Sequence, residues 1–164
     1  MIRTAMITLL SVALLSGVAL ADNGFGLGVI VGEPTGLSGE LWLTQSTAID
    51  AAVAWSFSGS DDSFLIHSDY LFYNMGLFDG IKTGTLALYF GMGGRVRFAS
   101  DTQVGIRVPV GLDYLFESAP VDVFLEVVPI LDLVKETDFD FNAAIGVRYF
   151  FGRTTTASEE GIVR

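Results

Sequence analysis

The stretch FDFNAAIGVRYFF at residues 139–151 decides the fold class. Its odd-numbered positions are apolar throughout, whereas the positions between them are mostly polar or small and include Asp140, Asn142 and Arg148. Alternation with a period of two is the pattern of a β-strand that has one apolar face and one polar face. The stretch therefore predicts a long strand at the end of a β-rich domain.

The same alternation recurs upstream in segments that short turn clusters separate, and no long helical pattern interrupts it. The eight predicted strands span residues 24–32, 36–44, 47–57, 63–74, 85–98, 104–116, 121–133 and 139–151. This spacing predicts an all-β fold, an eight-stranded antiparallel up-and-down β-barrel. A soluble lipocalin-like barrel or a β-sandwich also produces alternation, so the pattern alone does not choose among them.

The second face of each strand favours a barrel that is polar inside. It is rich in glycine and alanine, and its charges are arginines and carboxylates rather than lysines. Such residues suit the crowded interior of a small barrel, where side chains fill the space and buried charges must pair. We predict an interior polar network that leaves no open pore. Its members are His67, Asp69, Arg95, Arg97, Arg107, Asp113, Glu126, Asp132 and Arg148.

Aromatic residues on the apolar face fall near the strand ends, as in the two girdles of a membrane barrel. The end where the chain enters would carry Phe25, Tyr70, Phe72, Tyr114, Phe116, Tyr149 and Phe151. The opposite end would carry Trp55, Phe57, Phe64, Phe98, Phe139 and Phe141. This sorting predicts a transmembrane barrel with lipid against its outer face.

The two ends of the chain have compositions of their own. Residues 1–21 combine a basic start, an apolar run and the small-residue pattern Ala19-Leu20-Ala21, which predicts a cleaved signal peptide, with an uncleaved membrane anchor as the alternative. Residues 22–151 form the predicted barrel, and residues 152–164 are predicted to be a polar periplasmic tail. The chain has no cysteine, and its net charge of -10 argues against a nucleic-acid partner.

The search for chemistry yields no catalytic, cofactor or metal site. His67 is the one histidine, and adjacent Ser68 would point to the opposite face of the strand, so the two do not form a dyad. Two groups of acidic residues at the outer rim could hold calcium weakly, but solvated loop acids explain them better. One group is Asp61 and Asp62, and the other is Glu136, Asp138 and Asp140.

Three motifs carry a resemblance to a known family. GEPTGL at 32–37, GIRVPVGLDY at 105–114 and DVFLEVVP at 122–129 look like those of small bacterial outer-membrane barrels. The architecture of those barrels is similar to outer membrane protein X and to the outer membrane protein A transmembrane domain. The resemblance implies insertion into the outer membrane of a Gram-negative bacterium, with residues 147–151 as the signal for the barrel assembly machinery. The chain departs from the pattern because it continues beyond Phe151.

Together these features predict a monomeric outer-membrane barrel with a structural or interaction role in the cell envelope. We expect outer-membrane lipid as its partner and no enzyme activity. Two alternatives stay open. One is a soluble lipocalin-like carrier of a small apolar ligand, and the other is a lipid-modifying outer-membrane enzyme.

Overall fold

The computed structural model describes residues 24–56, 63–78, 81–99, 102–134 and 137–152. The predicted signal peptide, Phe57, the loop acids Asp61, Asp62 and Glu136, and tail residues 153–164 lie outside these ranges. Within the described ranges, no helix has the length and apolarity needed to cross a membrane.

The described chain is all β. Its strands are β1 (Phe25–Glu33), β2 (Thr35–Trp42), β3 (Thr47–Ser56), β4 (Ser63–Asn74), β5 (Gly84–Phe98), β6 (Thr102–Arg107), β7 (Val110–Phe116), β8 (Val121–Asp132) and β9 (Asp138–Phe151). Every pairing is antiparallel, and consecutive strands lie side by side, except β6 and β7, which follow one another end to end. The order follows from the short turns, since a short connection brings the next strand back beside the last one.

The first and last strands pair and close the sheet into a ring. β1 pairs with β9 from Phe25 opposite Phe151 to Glu33 opposite Ala143. The ring has eight positions because β6 and β7 occupy one of them, between β5 and β8. The predicted eight-stranded antiparallel barrel is confirmed.

The break between β6 and β7 comes at Val108 and Pro109, in the middle of one predicted strand. Proline has no backbone N–H, so it interrupts a ladder of hydrogen bonds. The register is unchanged across the break, and Pro109 still accepts a hydrogen bond of 2.9 Å from the N–H of Gly91. The two pieces therefore act as one strand of the ring.

One other local prediction needs correction. Strand two ends at Trp42, not at residue 44, because Leu43 and Thr44 turn the chain and both donate their N–H groups to the carbonyl of Thr47.

The buried side chains point into the ring, and the exposed large apolar side chains point out of it. On β9, for example, exposure alternates from Asn142 to Phe151, with the odd-numbered residues exposed. The interior combines an apolar cluster with many charges. Trp42 and Tyr73 belong to the cluster, with their rings 4.4 Å apart, and Tyr89 lies 5.2 Å beyond Tyr73.

Candidate functional site

The charged interior is the candidate site, and the strand alternation positions it. In the described part of the chain, buried acidic and basic residues occur on eight strands, β2 to β9, always on the inward face. They are Glu40, Asp50, His67, Asp69, Arg95, Arg107, Asp113, Asp122, Glu126, Asp132 and Arg148. Buried charges are stable only when they are paired or otherwise compensated, so the contacts among them define the site.

Arg148 on β9 lies among four carboxylates. Its Nη1 is 2.6 Å from Glu40, and its Nε donates a hydrogen bond of 3.1 Å to Asp122. Asp50 and Asp113 each lie 3.9 Å from the guanidinium. One arginine therefore holds together carboxylates from four other strands.

Arg107 on β6 forms a second group. Its Nε donates to both oxygens of Asp69, at 2.9 and 3.1 Å, and its Nη2 lies 3.3 Å from Glu126. The Tyr89 hydroxyl donates to the other oxygen of Glu126 at 3.1 Å. The Arg107 and Asp69 side chains are fully buried, so solvent does not screen this pair.

Arg95 on β5 forms a third group, with Asp132 and Asp140. Its Nη2 is 2.7 Å from Asp132 and 2.8 Å from Asp140. Arg97 lies two residues further along, on the same face, and its Nε donates to the Ser63 hydroxyl at 3.0 Å. The three groups link strands all around the ring.

Gly93 on β5 makes room for the second group. A Cβ atom at this position would overlap the Asp69 side chain and the carbonyl oxygen of Ser68. Asp69 and Arg107 both lie opposite Gly93 in the sheet, on its two sides. Glycine therefore lets the carboxylate and the guanidinium meet across β5.

His67 is buried on β4, opposite Arg95 of β5. Its Nδ1 has no hydrogen-bond partner within the described part of the chain. Ser68 lies on the other face, where its hydroxyl donates to the carbonyl oxygen of Asp50 at 2.9 Å. The two adjacent side chains thus point to opposite sides of the sheet.

All nine residues of the predicted network lie on the inward face, and the structure brings seven of them into ion pairs. The exceptions, as far as the described residues go, are Arg97, which donates to a serine, and His67. The named network left out several groups that complete the contacts. They are Glu40, Asp50, Ser63, Tyr73, Tyr89, Asp122 and Asp140. Glu40, Asp50 and Asp122 occupy inward positions of the alternating pattern, and this placement could have added them to the network from the sequence alone.

Two sets of inward side chains have the composition of metal ligands. One is Asp50, His67 and Asp69, and the other is Glu40, Asp113 and Asp122. In each set the potential ligand atoms lie within 4.8 Å of one another. The second set surrounds Arg148, whose positive charge already occupies its centre.

The aromatic residues of the outer face lie in rows near the two ends of the ring. At one end Phe64 contacts both Trp55 and Phe98, with ring centroids 5.7 and 6.1 Å apart. At the other end Tyr70, Phe72 and Phe90 form a similar row. Phe90 is an addition to the predicted girdle residues.

The other predicted girdle residues that the structure describes fall at the same two ends. Tyr114 packs against Phe116, and Tyr149 packs against Phe151, with centroids 4.8 and 5.1 Å apart. Phe25 lies opposite Phe151 in the sheet. Phe139 and Phe141 project from the beginning of β9, at the opposite end of the ring.

A solved structure shares this architecture. The chain is similar to the N-terminal β-barrel domain of Pseudomonas aeruginosa OprF, with a TM-score of 0.60 and 13% sequence identity. The match covers 79% of this chain and 98% of that one. No protein-family model and no curated protein matches the sequence. The likeness shows the fold, a closed β-barrel like that of the OprF domain.

Proposed function

We propose that the chain is a small bacterial outer-membrane β-barrel with a structural or interaction role in the cell envelope. The observation that carries the proposal is the inverted polarity of the ring. Large apolar side chains cover its outside, including Met92 at 65% exposure and Phe139 at 67%, whereas its charged side chains are buried inside. Soluble monomeric proteins rarely expose continuous apolar surface of this kind, whereas a barrel that spans a membrane has an apolar outer face in contact with lipid.

The ion pairs form a plug in the interior, so the barrel is not an open pore. Eight strands enclose only enough space for their own side chains. Arg107, Arg148 and Asp113 are at most 1% exposed, which supports an interior that is filled where these charged side chains lie. The apolar cluster around Tyr73 and Trp42 adds a further filled layer.

The alternatives fit the same geometry less well. A lipocalin-like carrier holds its apolar ligand inside an apolar cavity, whereas this ring has ion pairs there. A lipid-modifying enzyme needs a nucleophile beside its base, yet His67 and Ser68 lie on opposite faces. The interaction role therefore remains the preferred function.

The proposed partners follow from the closed ring. Outer-membrane lipid covers the apolar face, and the aromatic rows lie at the two water interfaces. Strand β9 supplies residues 147–151 as the signal for the barrel assembly machinery. Because β1 and β9 pair along their length, the sheet has no free edge for a second copy, which favours a monomer.

Refolding tests the proposal directly. The chain is diluted from denaturant into buffer with or without detergent micelles, and boiled and unboiled samples are compared on a denaturing gel. We expect a β-rich species only in the samples that contain detergent. Its mobility should change on boiling, because the closed ring resists the gel detergent until it is heated. The Val147→Pro variant is the control, since a proline in β9 removes a ladder donor and should abolish the shift.

A water-soluble, cooperatively folded monomer without a mobility shift would contradict the membrane proposal. It would favour the soluble carrier instead.

A further inference from the structure

Three carboxylates lie side by side on the inward face of neighbouring strands. Glu40 of β2 is directly opposite Asp50 of β3, and Asp50 is directly opposite Asp69 of β4. Like charges at directly opposite positions of a sheet destabilise it. Asp50, in the middle of the row, therefore needs a cation more than either neighbour does.

The arginines of the interior do not supply that cation. The Arg148 Nη1 atom lies 2.6 Å from Glu40 but 3.9 Å from Asp50, and Arg107 binds Asp69. The Oδ1 atom of Asp50 has no hydrogen-bond partner in the described ranges. Those ranges contain seven buried carboxylates and three buried arginines, so acidic groups outnumber basic ones in the interior.

His67 is an independent sign of a ligand at the same place. It lies two residues before Asp69 on the same face of β4, and its side chain is buried at 4% exposure. Its Nδ1 has no partner among the described residues. An unpaired buried polar nitrogen destabilises the fold, and coordination of a metal ion through Nδ1 would remove that cost.

We propose that Asp50, His67 and Asp69 bind a divalent transition-metal cation inside the barrel. Their ligand atoms lie within 4.8 Å of one another, and small side-chain rotations would bring them to the spacing of about 3.4 Å that a tetrahedral zinc shell requires. Two carboxylates with one imidazole form a mixed oxygen and nitrogen set, which suits Zn²⁺ better than Ca²⁺.

Arg107 acts as a positioning residue for this site. Its Nε donates to both oxygens of Asp69, and a carboxylate keeps further lone pairs for a metal. Hydrogen bonds of this kind orient ligands in metal sites. The bound cation would also separate the charges of Asp50 and Asp69 and so stabilise the junction of β3 and β4.

Zinc binding to the folded, tag-free chain tests the proposal, in detergent or in buffer according to where the chain folds. The protein is refolded with Zn²⁺ and desalted, and its metal content is measured by mass spectrometry. Co²⁺ in place of Zn²⁺ gives an absorption spectrum that reports its ligands. Because the chain has one histidine, any imidazole ligand is His67.

We expect one Zn²⁺ per chain. We also expect a loss of affinity of at least about 100-fold in His67→Gln and Asp50→Asn, since loss of even an orienting neighbour typically costs 10–100-fold. The matched control is Asp113→Asn, which neutralises a buried carboxylate of the other acidic set and should leave zinc affinity unchanged.

Stability separates loss of the site from loss of the fold. Without metal, Asp50→Asn should melt at a higher temperature than the wild type, because it relieves the row of like charges. Zinc should then raise the melting temperature of the wild type and not that of the variant.

A folded chain that retains no stoichiometric zinc overturns the site, and so does zinc retention that is equal in the wild type and Asp50→Asn. Either result leaves the membrane proposal intact, since that proposal depends on detergent and not on metal.

Discussion

Arg148 concentrates the electrostatics of the interior in one side chain. Its guanidinium is 1% exposed and lies within 4 Å of carboxylates from β2, β3, β7 and β8. It also lies over the Phe124 ring, 4.1 Å from the centroid, so an aromatic face covers one of its sides. Loss of this cation would leave several carboxylates facing one another without compensation.

We expect Arg148→Met to lower the free energy of unfolding by about 3–5 kcal/mol, because removal of one partner leaves buried charge unpaired. Arg97→Met is the control, since Arg97 is only partly buried and, within the described ranges, donates to Ser63. A loss below about 1.5 kcal/mol is expected there. Urea unfolding in lipid vesicles, followed by the fluorescence of the two tryptophans, measures both. Equal losses would contradict a special role for Arg148.

Adjacent glycines on opposite faces of β5 offer a second comparison. Gly93→Ala would push a methyl group into Asp69 and the carbonyl of Ser68, and we expect it to lower the free energy of unfolding by about 1–3 kcal/mol. Gly94→Ala meets only the Gly105 carbonyl oxygen at 3.6 Å, an ordinary contact, so stability should stay unchanged or rise by up to about 1 kcal/mol. The same urea experiment measures both variants. A larger loss of unfolding free energy in Gly94→Ala than in Gly93→Ala would refute the packing argument.

Alternation could predict which residues point inward, but it could not predict which of them meet. Arg148 and Asp122 are adjacent because β9 and β8 pair in one particular register. Glu40 and Arg148 are neighbours because the ring closes. Such contacts depend on strand stagger, which no single strand encodes. For the same reason the sequence did not bring Asp50 and His67 together as potential metal ligands.

At the scale of the strand, the predicted segments come close to the observed ones because each has a long period-two pattern between turn residues. Strand four was predicted at residues 63–74 and is observed at Ser63–Asn74. The division at Pro109 was not predicted, because alternation continues through the proline while its missing N–H interrupts the ladder. Hydrogen bonds from Leu43 and Thr44 to Thr47 likewise end β2 before residue 44, although the alternating sequence pattern gives no sign of this.

Strand β9 allows a test that separates a lipid-facing surface from a water-facing one. Ile145 projects outward from the middle of the strand, whereas Phe139 projects outward near its beginning. If lipid covers the ring, Ile145→Arg should lower the free energy of unfolding by about 2–4 kcal/mol and Phe139→Arg by about 0–1 kcal/mol.

Unfolding in vesicles by urea titration checks this depth dependence. A charge on a face that contacts water would have little effect at either position. Equal, small effects at residues 139 and 145 would therefore argue for the soluble alternative.

For the whole molecule, closure and inverted polarity have a joint consequence for transport. In the proposed plug, the inward side chains of the eight-stranded ring and their ion pairs fill the interior. The Arg148 group, the Arg107 group and the Arg95 group each connect different strands of the ring. Ions would have to displace these contacts in order to cross.

We therefore expect planar lipid bilayers that contain the folded chain to show no steady conductance above that of lipid alone. The matched variant replaces Asp69, Arg107 and Glu126 together by serine, which removes one complete group without leaving an unpaired charge inside. Its smaller, neutral side chains should let ions pass and raise the conductance. Steady open channels in the wild type would contradict the plug, and a triple variant as tight as the wild type would assign the seal to the cluster around Trp42 and Tyr73.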